Sequence, residues 1–379
     1  MFTSKLPNLG TTIFSYMTQL SNEHSAINLS QGFPEFEAFP ALKELVCKHI
    51  QAGHNQYAPM HGVKELREAI CEKVEYLYSK SYHPDREILV TSGATQALYT
   101  AITAFVHPGD EVIVIEPAYD SYVPVIELNG GKPVYVKLQA PDFKINWYEV
   151  KAAITPKTRM FVLNSPHNPT GTVFTDEDLK TLSTLVQDTN ILILSDEVYE
   201  HIVFDGVSHL SVSSYPELAS RSIVVSSFGK AFHITGWKVG YCLAPEELMK
   251  EIKKIHQYLV FSINTPVQYA LADFLKDKSY YLELSDFYQE KRSFFINLFK
   301  NTRFGIIPSQ GTFFQSLDYS RISDEDDFSF AVRLTKEHGV ATIPLSVFYH
   351  QGDQNSLIRF CFAKNDDTLE RGAERLLKL

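Results

Sequence analysis

The chain has 379 residues, a formal net charge of −10 at pH 7, and 44% hydrophobic residues. This length is enough for two domains with full cores, and the acidic balance argues against a nucleic-acid-binding protein, which normally has a basic face. The four cysteines are widely separated and form no CxxC pair, so the sequence predicts neither a metal site nor a disulfide framework.

The N-terminal segment lacks the apolar core of a secretory signal, and no run of 18 uncharged apolar residues occurs in the sequence. We therefore expect a cytoplasmic protein that binds neither membranes nor nucleic acids.

Residues 1–40 are rich in turn-forming residues, and their few apolar clusters are too small for an independent core. We expect them to pack as an arm on the rest of the molecule. Two helical patterns follow, one from Ala41 and one from Val63 to Tyr78, with apolar residues three and four positions apart. The polar connection between these helices contains an aromatic residue, Tyr57.

Seven short apolar runs come next, most of them separated by helical or turn-rich spans. Continuous apolar strands that alternate with helices are typical of a largely parallel sheet covered on both faces. We therefore predict an α/β domain with a mostly parallel seven-stranded sheet between helices. The predicted strands are Ile88–Thr91, Glu111–Ile115, Val134–Val136, Met160–Leu163, Ile191–Leu194, Ile223–Val225 and Val239–Leu243.

The remaining sequence predicts a smaller α+β unit. Residues 246–299 have the pattern of long amphipathic helices. Three short strands, at 312–317, 341–344 and 357–362, then alternate with helices at 324–338 and 367–377. We expect an N-terminal arm at 1–40 that packs with the small domain, a large domain at 41–268 and a small α+β domain at 269–379.

Ligands of open α/β sheets bind at the carboxyl ends of the strands, so the residues that follow each predicted strand are the first candidates for a site. The segment from Thr91 to Thr95, which includes Ala94, lies at the end of the first strand and is followed directly by a helical pattern from Gln96 to Phe105. The free N–H groups of such a turn suit a phosphate. Taken alone, an ordinary helix N-cap at Thr95 is the simpler interpretation.

The next two strand ends carry rings and turn residues. Tyr119 and Tyr122 could supply a flat face for a bound ring, although both also fit as core tyrosines. The turn from Asn164 to Gly171 is crowded with hydrogen-bonding side chains, including Asn168. Turn chemistry alone explains its Asn-Pro and Thr-Gly pairs.

The fourth and fifth strand ends are more informative. Asp196 follows an apolar strand, where a carboxylate needs a cation such as a protonated pyridine nitrogen, and Tyr199 could donate to an oxygen of the same ring. Lys230 follows the next strand, and a lysine with a lowered pKa forms Schiff bases, although a lone lysine after a strand is usually a solvated cation. Ser227 and Lys238 flank Lys230 as further phosphate partners.

An ordered set of motifs links these strand ends: GAT, EPAYDSY, NPTG, DEVY, SSFGK with GWKVG, and IRFCFA. In this order they resemble the class I and II aminotransferases of pyridoxal-phosphate fold type I, and the likeness covers nearly the whole chain. The segments LPNLGTTIF, NLSQGFPEF, NQYAPMHG and VSSFGKAFHITGWKVGYC resemble the branch of methionine and kynurenine aminotransferases. The resemblance implies a pyridoxal 5′-phosphate cofactor and a transfer of the amino group from an amino acid to a 2-oxo acid.

The resemblance also implies a role for each motif residue. Lys230 would be the catalytic residue and hold the cofactor as a Schiff base, and Asp196 would face the pyridinium nitrogen. Tyr57 would reach the phosphate of a partner subunit, which implies a homodimer with shared active sites. The other cofactor contacts would be Asn168 and Tyr199 at the ring oxygen, Tyr119 at the ring face, and Ala94, Thr95, Ser227 and Lys238 at the phosphate.

Arg359 lies among apolar strand residues, where an unpaired guanidinium is unfavourable. We interpret it as a bidentate clamp on the substrate α-carboxylate, in preference to a structural ion pair. The resemblance makes the same assignment and adds Asn168 and the backbone at Gly32. Phe33, and Phe261 of the partner subunit, would line the pocket for the substrate side chain.

The sequence offers no obvious second arginine for a distal carboxylate, which disfavours an acidic substrate. The resemblance to methionine aminotransferases makes methionine the first choice of amino donor, with aromatic amino acids, histidine or glutamine as further possibilities. The alternatives are a β-lyase acting on cysteine conjugates, a kynurenine-type aminotransferase activity, and a regulator that binds the same cofactor. A regulator would carry an added DNA-binding domain and a basic surface, which this acidic sequence does not suggest.

Overall fold

A computed structural model describes residues 3–7, 9–352 and 355–379 of the chain. Residues 1, 2 and 8 of the predicted arm lie outside the described residues.

The strands are β1 (Ile27–Asn28), β2 (Ile88–Thr91), β3 (Glu111–Glu116), β4 (Lys132–Lys137), β5 (Thr158–Asn164), β6 (Leu192–Asp196), β7 (Ser222–Ser227), β8 (Gly240–Leu243), β9 (Gly305–Ile306), β10 (Phe314–Asp318), β11 (Val340–Ala341), β12 (Ile343–Pro344) and β13 (Leu357–Cys361). The helices are α1 (Ile13–Glu23), α2 (Pro40–Gln51), α3 (Lys64–Tyr78), α4 (Gly93–Phe105), α5 (Tyr122–Leu128), α6 (Trp147–Ala153), α7 (Asp176–Val186), α8 (Pro216–Ala219), α9 (Phe228–Ala231), α10 (Glu246–Leu259), α11 (Thr265–Phe274), α12 (Ser279–Leu282), α13 (Leu284–Phe299), α14 (Asp327–Glu337) and α15 (Asp366–Leu376).

The central sheet has seven strands in the order β2-β8-β7-β6-β5-β3-β4. The strands from β7 to β4 pair in parallel, and β8 alone runs antiparallel to both of its neighbours. This arrangement confirms the mostly parallel seven-stranded sheet that the apolar runs predict. Because β3, β5, β6 and β7 are parallel neighbours, their carboxyl ends meet at one edge of the sheet.

Both faces of the sheet are buried, and the side chains of each strand alternate between two cores. In β3, Ile113 and Ile115 belong to the larger core, whereas Val112 and Val114 belong to the smaller one, which α4 and α5 cover. Each fully buried side chain of this kind contributes about 1.5–3 kcal/mol relative to exposure. The continuous apolar runs in the sequence therefore reflect a sheet that is covered on both sides.

The N-terminal segment contains a helix, α1, that the prediction of a turn-rich arm at residues 1–40 did not include. The Thr12 hydroxyl caps α1 by accepting a hydrogen bond from the Ser15 N–H at 3.3 Å, and Met17 and Leu20 are buried. The following strand, β1, pairs in parallel with β11, and α1 packs on α14. The segment thus contacts the C-terminal part of the chain, while the domain limits at residues 40 and 268 stay predictions.

The C-terminal part is built on a four-stranded antiparallel sheet in the order β12-β13-β10-β9. Arg359 lies in the middle of β13, where it pairs with Ser316 on one side and Ile343 on the other. The strand predicted at 341–344 is in fact two strands, because the chain changes partner at Thr342, from β1 to β13. Within the described ranges, no helix is long and apolar enough to cross a bilayer.

Candidate active site

A cavity of about 320 Å³ opens at the carboxyl ends of the parallel strands, between the large sheet and β13. Most of the residues that the sequence predicts for the site contribute to its walls. These residues are Gly32, Ala94, Thr95, Tyr119, Asn168, Asp196, Tyr199, Ser227, Lys230, Lys238 and Arg359.

Lys230 lies on α9, the single helical turn that follows β7. The Ser227 side chain starts this turn by accepting a hydrogen bond from the Gly229 N–H at 3.1 Å. The Lys230 ammonium donates to the Gly32 carbonyl at 2.6 Å and lies 5.9 Å from the centre of the Tyr199 ring. Burial lowers the pKa of Lys230 from the ordinary 10.5 to about 8, against the opposing effects of Cys361 and, to a smaller extent, the Asp196 carboxylate.

This environment makes the reactivity of Lys230 strongly pH-dependent. Because only the neutral amine is nucleophilic, trace labelling of Lys230 in ligand-free protein should rise with pH with a midpoint near 8. The Asp196→Asn variant should lower this midpoint, because the Asp196 charge raises the Lys230 pKa. Labelling followed by peptide mass spectrometry measures both values, and a midpoint near 10.5 in the unaltered protein would contradict the burial of this amine.

Asp196 is the last residue of β6 and is 3% exposed. Its carboxylate accepts hydrogen bonds from the Tyr122 hydroxyl at 2.7 Å and from the Val198 N–H at 3.3 Å. Burial raises the pKa of Asp196 to about 6, in spite of these two bonds. A cationic group placed in the cavity beside this carboxylate would favour its ionised form.

The first turn of α4 forms the end of the cavity that suits an anion. The helix begins at Gly93, with Ser92 at the N-cap, so Thr95 lies inside the first turn and is not the N-cap that its sequence context suggests. The thirteen-residue helix directs its free N–H groups and the positive end of its dipole towards the cavity. The Lys238 ammonium lies 3.3 Å from the point that a Cβ on Gly93 would occupy.

Gly240 allows β8 to approach this turn closely. A Cβ at Gly240 would lie 2.7 Å from the Ser226 carbonyl oxygen and 2.9–3.0 Å from backbone atoms of Gly93 and Ala94. We expect Gly240→Ala to lower the free energy of unfolding by roughly 2 kcal/mol, because backbone atoms must move to admit the methyl group. Gly236→Ala is the matched control, since a Cβ there has no neighbour within 4 Å. Equal urea midpoints for the two variants would contradict this close approach.

Arg359 is fully buried, and its guanidinium is only partly satisfied. One N–H donates to the Asn168 side-chain oxygen at 2.6 Å, whereas Nε and Nη2 have no hydrogen-bond partner in the described part of the chain. Three phenylalanine rings surround it, with Phe314 nearest at 3.8 Å from Cζ to the ring centre. Burial lowers the pKa of Arg359 to about 10. Two adjacent unpaired donors on a buried guanidinium fit a carboxylate bound by two hydrogen bonds.

Several residues at the site were not assigned a role from the sequence. Asn164 ends β5, accepts a hydrogen bond from the Asn168 N–H at 2.8 Å and donates to the Asp196 carbonyl at 2.9 Å. It therefore fixes Asn168 next to the end of β6. Gln31 and Phe14 also line the cavity, and the Gln31 amide donates to the Phe14 carbonyl at 2.9 Å. Asn164 was visible as a polar residue at a strand end, whereas Phe14 comes from the unpredicted helix α1.

Three of the predicted site residues lie outside the walls of this cavity. Tyr57 is 83% exposed, Phe261 is 45% exposed, and their rings meet edge to face at 5.4 Å. Phe33 is also 45% exposed, and its carbonyl accepts a hydrogen bond from the Lys364 ammonium at 3.2 Å. The structure thus brings Tyr57 and Phe261 together, but away from Lys230 and Arg359 of the same chain.

The fold and the sequence define the class of protein. The family model described as aminotransferase class I and II matches residues 24–376, and the chain belongs to this family. Its mostly parallel seven-stranded sheet with a smaller α+β unit is fold type I of the pyridoxal-phosphate-dependent transferases, as the motifs predict.

Individual relatives match over the whole length. The chain is 51% identical to the methionine aminotransferase of Escherichia coli over 99% of this chain and 98% of that one. A crystal structure of an Escherichia coli protein identified as a methionine aminotransferase matches with a TM-score of 0.98 over 100% of both chains, again at 51% identity. The kynurenine–oxoglutarate transaminase of Dictyostelium discoideum is 36% identical over 98% of this chain and 95% of its own.

Proposed function

We propose that this aminotransferase uses pyridoxal 5′-phosphate to move the amino group of methionine to a 2-oxo acid. The observation that carries the proposal is the pairing, in one cavity, of a lysine with a lowered pKa and a buried arginine with two free donors. The amine suits a cofactor aldehyde and the guanidinium suits an α-carboxylate. An amino acid held between them would have its α-carbon near the amine.

The residues present fit this cofactor. The first turn of α4, with Ala94 and Thr95, together with Ser227 and Lys238, would hold its phosphate. When bound, the cofactor supplies an electron sink that stabilises negative charge at the substrate α-carbon.

Side chains at the other end of the cavity would hold the ring. Tyr119 would lie on one face, and Asn168 and Tyr199 would donate to the ring oxygen. Asp196 would pair with the ring nitrogen, and the Tyr122 hydroxyl keeps its carboxylate oriented towards the cavity. The raised pKa of Asp196, about 6, describes the carboxyl group without such a cation beside it.

Lys230 would also move the proton of the reaction. A pKa of about 8 leaves a substantial share of the amine neutral at physiological pH, so it can accept a proton from the substrate α-carbon and return it to a neighbouring atom. The Gly32 carbonyl orients the amine, because it accepts a hydrogen bond from it at 2.6 Å. Arg359 and Asn168 would fix the carboxylate and so hold the α-carbon within reach of the amine.

The walls of the cavity favour an uncharged substrate side chain. The cationic residues that line it, in the part of the chain that the structure describes, are Lys230, Lys238 and Arg359, and each has a role at the cofactor or the α-carboxylate. Phe14 and Phe314 contribute apolar surface beside Arg359. A thioether or an aromatic ring suits such a surface better than a second carboxylate. The similarity to methionine aminotransferases supports the same choice.

We further propose that the active protein is a homodimer in the cytoplasm. The exposed pair of Tyr57 and Phe261 supports this assembly, because large exposed rings are enriched at protein interfaces. In the dimer, Tyr57 would reach the phosphate of the neighbouring site, and Phe261 and Phe33 would border its substrate pocket.

A panel of amino donors tests the proposed substrate. We expect the kcat/KM for methionine to exceed that for aspartate by at least about tenfold with each of several 2-oxo acids, because the described residues of the cavity offer no further cation for a second carboxylate. Phenylalanine, kynurenine, histidine and glutamine complete the panel. A preference for aspartate, or an absence of transfer from every donor after pyridoxal phosphate is added, would overturn the proposal.

A further inference from the structure

The segment from Leu345 to His350 connects the C-terminal sheet to the carboxylate-binding end of the cavity. It begins with a short 3-10 helix at Leu345–Phe348, directly after β12. The Phe348 ring is 4% exposed, and its centre lies 5.1 Å from the Arg359 Cζ and 6.0 Å from the Phe14 ring. This ring therefore forms part of the enclosure around the guanidinium.

The same segment is bound to the end of β3 by a pair of side chains that the proposed reaction does not use. Glu116, the last residue of β3, is 3% exposed. One of its carboxylate oxygens accepts the His350 N–H at 2.5 Å, and the other lies 3.0 Å from His350 Nδ1. The Phe348 carbonyl accepts a hydrogen bond from the Ala118 N–H at 2.8 Å. Among the described residues, the two hydrogen bonds of this buried carboxylate thus involve the backbone and the ring of His350.

The His350 ring is also held from the side. It stacks on the Tyr135 ring of β4, with the ring centres 3.9 Å apart and an angle of 7° between the planes. A buried carboxylate is unfavourable without partners, so Glu116 strongly favours the position of His350 that satisfies it. We call the group of Glu116, Tyr135 and His350 the β3 clasp.

We propose that His350 is a positioning residue for substrate binding, which holds the Phe348 ring against Arg359 through the β3 clasp. The inference rests on the proposed function, in which Arg359 binds the substrate α-carboxylate. Nε and Nη2 of Arg359 have no hydrogen-bond partner that would orient them among the residues that the structure describes. The planar guanidinium is therefore kept in place by its single bond to Asn168 and by the surrounding rings, including Phe348.

Loss of the clasp should weaken binding of every substrate through the group they share. Both the amino acid and the 2-oxo acid carry a carboxylate next to the reacting carbon, so the KM values of both should rise by a similar factor. Lys230 is oriented by Gly32, on a different segment, so kcat should change little. A general loss of structure would instead lower the amount of active enzyme, and hence the apparent kcat.

The test compares His350→Ala with His350→Asn in the holoenzyme. Asparagine keeps a side-chain donor near the position of Nδ1, whereas alanine removes it. Steady-state kinetics with methionine and a 2-oxo acid gives KM and kcat. Calorimetric titration with 3-(methylthio)propionate, which has the carboxylate and the thioether but no amino group, gives a dissociation constant that does not depend on turnover. His24→Ala, at an exposed position, is the control.

For His350→Ala we expect KM for both substrates, and the dissociation constant of the probe, to rise about fivefold, which corresponds to roughly one fifth of the molecules keeping the guanidinium in its binding orientation. The kcat should stay within about twofold, and His350→Asn should restore most of the binding. Unchanged binding in His350→Ala, or equal losses in the two variants, would overturn the inference. The probe titration separates the two proposals: wild-type protein that transfers no amino group would refute the proposed function, while a change in probe affinity would still report the effect of the clasp.

Discussion

Replacing Lys230 with alanine is expected to lower kcat for amino transfer by at least about 10³-fold, because the same amine would bind the cofactor covalently and move the proton. The lowered pKa of Lys230, about 8, places its proton transfer close to physiological pH. The loss should appear in kcat at saturating substrate, since Arg359 and Asn168 remain to bind the carboxylate. Single-turnover measurements on reconstituted protein give this rate directly.

Lys238→Ala is the matched control for this experiment, because it removes another ammonium group from the same cavity. Lys238 lies beside the first turn of α4, so its loss should weaken cofactor binding while the rate at saturating cofactor is largely kept. Borohydride reduction followed by mass spectrometry should trap the cofactor on residue 230 in the control and leave the Lys230→Ala variant unmodified. Full turnover by Lys230→Ala would refute the catalytic assignment.

Replacing Arg359 with methionine is expected to lower kcat/KM for methionine by about 10²–10³-fold, because both hydrogen bonds to the α-carboxylate are lost. The melting temperature of the variant should equal or exceed that of the unaltered protein. Methionine removes a buried guanidinium whose one hydrogen-bond partner among the described residues is Asn168, and it fills the space among Phe14, Phe314 and Phe348 with apolar atoms. Opposite effects on activity and stability distinguish a binding residue from a structural ion pair.

Arg359→Lys provides the comparison at this position, since it keeps a charge but loses the planar pair of donors. We expect it to recover only a small part of kcat/KM, because an ammonium cannot form the bidentate contact. If Arg359→Met lowered the melting temperature strongly while kcat/KM fell less than about fivefold, the guanidinium would be structural and the carboxylate would have to bind elsewhere.

The sequence predicted secondary structure best for strands that are buried on both faces. The runs at Val112–Ile115 and Ile193–Leu194 are apolar at every position because both faces of the sheet are covered, and a continuous pattern of this kind predicts a strand without knowledge of its partners. Helix α1 was missed although Ile13, Met17 and Leu20 have helical spacing behind a Thr12 cap. Its nearby glycines and prolines favoured turns, and the contacts with α14 and β11 that stabilise it are distant in sequence.

The site could be predicted to the extent that its residues follow strands. Asp196 and Lys230 stood out because each places a charge at the end of an apolar run. The hydrogen bond from Tyr122 to Asp196 joins residues 74 positions apart, and no local pattern reveals it. The β3 clasp could not be predicted from the sequence either, because Glu116 and His350 are 234 positions apart and meet only in the folded chain.

Transfer of a labelled amino group tests the central claim most directly. The protein is reconstituted with pyridoxal phosphate and incubated with ¹⁵N-methionine and a panel of 2-oxo acids, and the products are analysed by mass spectrometry. The account predicts that the label appears in the amino acid formed from at least one 2-oxo acid, and that the methionine is converted to its own 2-oxo acid. Release of the label as ammonia, with no labelled amino acid formed from any 2-oxo acid, would contradict it.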